Sequence, residues 1–248
     1  MISEVYEYCK NRFEGENFDE KWEEYQKLPP FKISQNVNDV GGISEEAHFI
    51  MRTAAKYYME KVFEAMKIDL TDPNVSGEKG TPYRIIKMWT GAHLEDDSEL
   101  MSGRWMNEPR MAYFPDDSSE SGRPVFVKTD LNAVCSHHVI RFGEDYYDED
   151  SFVVIGYIPE GYIGGISKIN RLVNFCARRG WLQEDLTKYI GEKIKEKFKT
   201  TSVYVALFNM KHGCASYRGA CDTRAATTTI FKSGKFKDDP SLIPSKYQ

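Results

Sequence analysis

The chain has 248 residues, 41% hydrophobic, 29% charged and 13% aromatic, which is enough to build one large domain with a sizeable core. Its formal net charge of −5 gives no reason to expect a nucleic-acid binder, and an anionic small substrate would need a local basic pocket. No apolar run suits a membrane span, the acid-studded N-terminus has no signal-peptide core, and the five spaced cysteines form no disulfide framework, so the expected compartment is the cytoplasm.

Residues 1–40 are aromatic, charged and broken by Pro29-Pro30, and read as an accessory arm of short helices. Ser44 opens a helical pattern in which Ala47, Ile50, Met51, Ala54, Tyr58, Val62 and Met66 recur on one face. A second helix starts at Thr81-Pro82, with Thr81 expected as N-cap and Pro82 in the first turn. Residues 91–124 are polar and read as a long loop. A strand is expected over 125–134, an acidic solvated hairpin turn over 143–150 (GEDYYDED), and a second strand over 151–158. Ser167 is expected to cap a helix that runs to Arg179 and stops at Gly180. Another helix covers 183–199, and strands at 203–208 and 227–231 complete the pattern. Strands that flank a helix pair indicate an α+β fold with an antiparallel sheet.

Two short segments concentrate the chemistry: Cys135-Ser136-His137-His138 and His212-Gly213-Cys214. Thiolate and imidazole are the donors zinc prefers, and Cys135 with His138 has the spacing of a tight turn clamping one ion. Cys214, from a distant segment, makes a third ligand, and three protein ligands leave a position open, as in catalytic sites. On spacing alone the same residues also suit buried core thiols beside satisfied histidines. Ser167, Lys168 and Arg171 lie at a helix N-terminus, where free N–H groups and the dipole favour an anion. Arg84 and Lys87 repeat that geometry near another helix start, and Arg218 follows Cys214 by four residues. Taken alone, each pair fits a solvated helix face better than an anion site. Gln183-Glu184 pairs a carboxamide with a carboxylate, a combination that can meet a guanine edge or merely open a helix.

Taken together, these segments resemble the GTP cyclohydrolase I family. TPYRIIKMW is similar to its Thr-Pro-x-Arg-x-x-Lys-Met segment, and VKTDLNAVCSHH to the strand that leads to its Cys-Glu-His-His motif. YIPEGYIGGISKINRLVNFCARRGWLQEDLT and HGCASYRGACDTRAATTT resemble its later blocks, so the likeness covers roughly 43–90 and 125–232. Ser136 stands where the family has Glu.

The resemblance implies a tunnelling fold over 96–248, an antiparallel sheet with helices on one face, preceded by a helical region over 1–95. It implies zinc-dependent conversion of GTP to 7,8-dihydroneopterin triphosphate with release of formate, in a homodecamer. Cys135, His138 and Cys214 would hold Zn2+, and His137 and His212 would be the acid–base groups. Arg84, Lys87, Ser167, Lys168, Arg171 and Arg218 would bind the ribose triphosphate. Gln183 and Glu184 would read the guanine.

Overall fold

A computed structural model describes residues 2–116, 122–145 and 147–248; residues 117–121 of the expected long loop and Tyr146 of the acidic loop lie outside the described residues. The chain folds as two compact units, Met1–Asn107 and Glu108–Gln248.

The first unit carries helices α1 (Ile2–Lys10), α2 (Phe18–Lys27), α3 (Glu45–Ala65) and α4 (Thr81–Thr90). Aromatic residues of the arm supply its core: Phe18 and Trp22 pack with Val5, Cys9, Ile50 and Ala54, edged by Tyr6 and Phe13. Ser44 caps α3 as expected, its side chain accepting from Ala47 N. The cap of α4 is Gly80 and not Thr81, which is already the first helical residue. The reason is steric: a Cβ on residue 80 would meet Val75 O at 2.2 Å, so only glycine fits the entry to the helix.

The second unit has a short ribbon of β1 (Tyr113–Pro115) and β6 (Tyr162–Gly164), and a main sheet that is almost wholly antiparallel. In chain order the main sheet contains β2 (Val125–Thr129), β3 (Asn132–Cys135), β4 (Arg141–Gly143), β5 (Phe152–Tyr157), β7 (Gly180–Trp181), β8 (Val203–His212) and β9 (Ala226–Lys232). Two helices lie between these strands, α5 (Ile166–Ala177) and α6 (Gln183–Phe198). A one-turn α7 (Gly213–Ser216) follows β8, and α8 (Lys235–Asp238) follows β9.

The organising element is β8. Its Leu207 pairs with Val153 of β5 and Thr229 of β9, and its Lys211 with Gly143 of β4 and Ala226 of β9. A strand has two edges, so β9 takes one, and β4 and β5 lie end to end along the other. The expected strand over 125–134 is therefore two strands, β2 against β5 and β3 against β4, interrupted at 130–131. Among the described residues β4 and β5 do not pair with each other, so the expected hairpin turn does not join a hairpin; β4 ends at Gly143 and β5 begins at Phe152 on the same edge of β8, and Glu144 is buried, with burial pushing its carboxyl up to about 7.

Alternation assigns the two faces of the sheet. Val153, Ile155 and Tyr157 face the helices, where Tyr157 and Phe198 of α6 have ring centroids 4.8 Å apart. Val154, Tyr204 and Ala206 face the other way and are covered by Phe236 and Ile243 of the C-terminal segment. Gly180 does stop α5, and also starts β7, which runs parallel to β3 beside Cys135. The cap of α5 is Gly165, two residues before Ser167, which sits inside the first turn.

Candidate metal centre

Cys135 closes β3, and the chain then turns through Ser136, His137 and His138 before entering β4. Val139 N donates to Cys135 O and Cys135 N to Ile140 O, both at 2.9 Å, with Val139 in the left-handed region at φ 53°. Because β4 lies between β3 and β8, this turn stands beside the end of β8, where His212 and the one-turn α7 with Cys214 begin. The approach is close enough to need glycine at 213: a Cβ there would meet Ile140 Cγ2 at 2.4 Å and Arg141 O at 2.9 Å.

The ligating atoms of Cys135, His138 and Cys214 all lie within 4.8 Å of one another, with Cys135 Sγ 3.6 Å from His138 Nδ1. Zinc bonds of roughly 2.0–2.3 Å in a tetrahedron put neighbouring donors about 3.3–3.8 Å apart, so one pair already has that spacing and small side-chain movements close the rest. Cys135 is buried, Cys214 half-buried and His138 exposed, which leaves one side open. Burial and then the neighbouring Cys135 sulfur push the Cys214 thiol up, a cost that a bound dication reverses. The donor set therefore fits zinc. Arg218 Nη1 lies 2.6 Å from His138 Nε2, which must accept, since guanidinium has no lone pair to offer.

His212 lies in a prepared slot. Its ring stacks on Phe142, its cross-strand partner, with centroids 4.7 Å apart and planes 2° from parallel. Its Nε2 is 2.7 Å from Gln183 Oε1. Burial lowers its pKa from the usual histidine value, and the carboxylate of Glu184 opposes that shift. His137 is exposed beside His138, with ring centroids 6.2 Å apart.

The residues expected to meet the base part company. Gln183 is 2% exposed, and its carboxamide is spent inside the protein on His212, Thr227 and Thr229. Glu184 is exposed and lines a cavity of about 320 Å³ with Thr187, Lys188, Thr229, Ile230 and Phe231. Ser167, Lys168 and Arg171 share the first turns of α5, with Ser167 and Arg171 exposed. Arg84 and Lys87 stand on α4 of the first unit, Arg84 exposed and Lys87 paired with Glu99 at 2.8 Å. The supports of His212, namely Phe142, Thr187 and the Thr227 and Thr229 of β9, were not among the expected site residues. Their one visible signal was the position of Phe142, seven residues past Cys135, and of the threonine run inside the last motif.

Comparison with known proteins gives a consistent result. The family model described as GTP cyclohydrolase I matches residues 56–247. The GTP cyclohydrolase 1 of Buchnera aphidicola subsp. Schizaphis graminum is 32% identical over 188 residues, covering 75% of this chain and 77% of its own. That of Photobacterium profundum is 31% identical over 188 residues, covering 75% and 78%. A crystal structure of the archaeosine synthase QueF-Like in the apo form is 22% identical and covers 46% of this chain and 97% of that chain, with a TM-score of 0.35, too low to bear on the fold.

Proposed function

The chain belongs to the GTP cyclohydrolase I family, and from that premise we propose that it opens the imidazole ring of GTP, releases C8 as formate and forms 7,8-dihydroneopterin triphosphate. The observation that carries this reading is the convergence of Cys135, His138 and Cys214 beside a His212 already held in place by Phe142 and Gln183.

In this reading Cys135, His138 and Cys214 hold Zn2+, and when bound the ion supplies the Lewis acidity that makes water nucleophilic near neutral pH. His212 gives a proton to N7 as water adds at C8, so that the addition leaves no bare anion on N7; the C8–N9 bond then breaks as the C8 hydroxyl becomes the formyl carbonyl and its proton goes to N9. A second water frees formate. His137 protonates the ribose ring oxygen, and the opened sugar rearranges before the amine closes on its carbonyl carbon, which returns one water. Lys168, Arg171 and Arg218 grip the triphosphate, with Ser167 at the ribose–phosphate end, so binding energy far from C8 fixes the purine over the centre. The carboxylate of Glu184 accepts from guanine N1–H and the exocyclic amine.

The sheet with paired helices on one face supports reading the unit as a tunnelling fold. Its β9, paired only with β8 among the described residues and with Ile230 44% exposed, supports strand-edge assembly into a ring of ten.

A substrate panel tests the reading. Fluorescent pterin, detected after oxidation, is expected from GTP, not from dGTP, whose C2′ lacks the hydroxyl that becomes the carbonyl for ring closure, and not from ATP, whose unprotonated N1 would face Glu184 acceptor to acceptor. Equal turnover of ATP would move the protein to another purine nucleotide.

A further inference from the structure

The carboxamide of Gln183 has only one orientation that satisfies its neighbours, and that orientation decides which nitrogen of His212 carries hydrogen. Thr187 Oγ1 lies 2.7 Å from the carbonyl oxygen of Gln183, which can only accept, so the single hydroxyl proton of Thr187 is spent there. The 2.6 Å contact between Thr187 Oγ1 and Thr229 Oγ1 must then take its proton from Thr229. With that proton committed, Thr229 Oγ1 accepts from Gln183 Nε2 at 3.0 Å, and the carbonyl of Thr227 accepts from the same nitrogen at 3.0 Å. Two acceptors on one end of the amide fix the NH2 group there, independently of any assignment of nitrogen and oxygen from shape. The atom 2.7 Å from His212 Nε2 is therefore the amide oxygen, which cannot donate. So His212 Nε2 carries the hydrogen, and the lone pair of the neutral ring is on Nδ1. Stacking on Phe142 holds the ring in that plane.

We propose that Gln183 is a positioning residue that acts through His212 and not on the purine. It anchors Nε2–H and leaves Nδ1 as the atom that delivers a proton to the substrate and takes one back. When the imidazolium passes its Nδ1 proton to the purine N7, the ring returns to the neutral form whose Nε2–H still points at Gln183, so the network is unchanged before and after transfer. This deepens the reading of His212 as the acid–base group and rests on it; the amide is buried, 2% exposed, with both its N–H donors spent on Thr227 and Thr229 and its oxygen already engaged by His212.

Histidine labelled with 15N in the ring, in the zinc-loaded and substrate-free protein, tests the assignment directly. The His212 signals are identified by their loss in His212→Asn. The expected spectrum has Nε2 protonated and Nδ1 bare, with the Nε2–H proton displaced downfield by its hydrogen bond. That displacement disappears in Gln183→Met, a side chain of similar length without the amide. In steady state Gln183→Met lowers kcat about a hundredfold, the lower end of what a positioned proton donor contributes, and leaves KM for GTP within about twofold. A protonated Nδ1 in the neutral ring of the wild type overturns the proposal. So does a raised KM with kcat intact in Gln183→Met, the pattern of a residue that binds the base. The spectrum needs no substrate, so it judges the positioning role even if GTP is not turned over, and the wild-type spectrum alone decides if the variant does not fold.

Discussion

Alanine at Cys135, His138 or Cys214 removes one donor from a set of three, and two donors do not hold zinc against the protein's own washing and dialysis. Each variant is expected to lose both metal, read by elemental analysis, and activity; full occupancy in any one removes that residue from the ligand set. His212→Ala and His137→Ala lie outside the set and should keep about one zinc per chain while losing turnover roughly 10²–10⁴-fold. Arg218 has a subtler signature. Its 2.6 Å contact makes His138 Nε2 an acceptor, which leaves the ring's hydrogen on Nδ1, facing Cys135 Sγ. A metal on Nδ1 needs that hydrogen moved to Nε2, and Arg218 must then withdraw. Arg218→Ala should therefore bind zinc at least as tightly as wild type in a competition titration. Its KM for GTP should rise about tenfold, the loss of one charge-assisted contact. Weaker zinc binding in Arg218→Ala would contradict this account.

At the scale of elements, the meeting of the 136–140 turn with the start of α7 depends on Gly213, and Gly213→Ala forces the two segments apart, because its Cβ would lie only 2.4 Å from Ile140 Cγ2 and 2.9 Å from Arg141 O. The variant is expected to fold, with a midpoint of chemical denaturation near wild type, and to bind zinc more weakly; unchanged metal affinity would show that the segments can shift freely. In the first unit, α3 buries His48 completely, its Nε2 donating to Thr90 O at 3.0 Å, and burial holds its pKa down to about 4. A folded-state pKa below the unfolded value means that the unfolded chain takes up a proton first as pH falls. The stabilisation is present above about pH 6.5 and is lost between about 6.5 and 4, by up to roughly 1.4 kcal/mol per pH unit. His48→Phe should flatten that stretch of the curve in urea titrations, and an unchanged slope would place the acid sensitivity elsewhere.

These elements also show what the sequence can carry. The meeting of Cys135, His138 and Cys214 was legible because a Cys-x-x-His and a His-x-Cys segment occur in one chain, and α3 because Ser44 and its apolar face agree. The break of one strand into β2 and β3 was not, since β2 pairs with β5 and β3 with β4, and a change of partner strand leaves no mark at 130–131. Gly80 and Gly165 displaced Thr81 and Ser167 as caps because a cap is chosen by backbone conformation and close approach as well as by side-chain oxygen. Gln183 was expected at the base because its spacing beside Glu184 is plain, whereas its turn inward is set by β9, more than forty residues away.

At the scale of the whole molecule, β9 pairs only with β8 among the described residues, and the proposed ring predicts a particle of ten chains of 28.6 kDa each by light scattering. Activity should fall on dilution in step with dissociation, and a fully active monomer would contradict the assembly. In the proposed reaction carbon 8 of guanine leaves as formate. GTP labelled with 13C at C8, incubated with the zinc-loaded protein and followed by NMR, is expected to yield one labelled formate for each dihydroneopterin triphosphate formed. Label retained in the ring, or a product with the imidazole intact, would contradict the account.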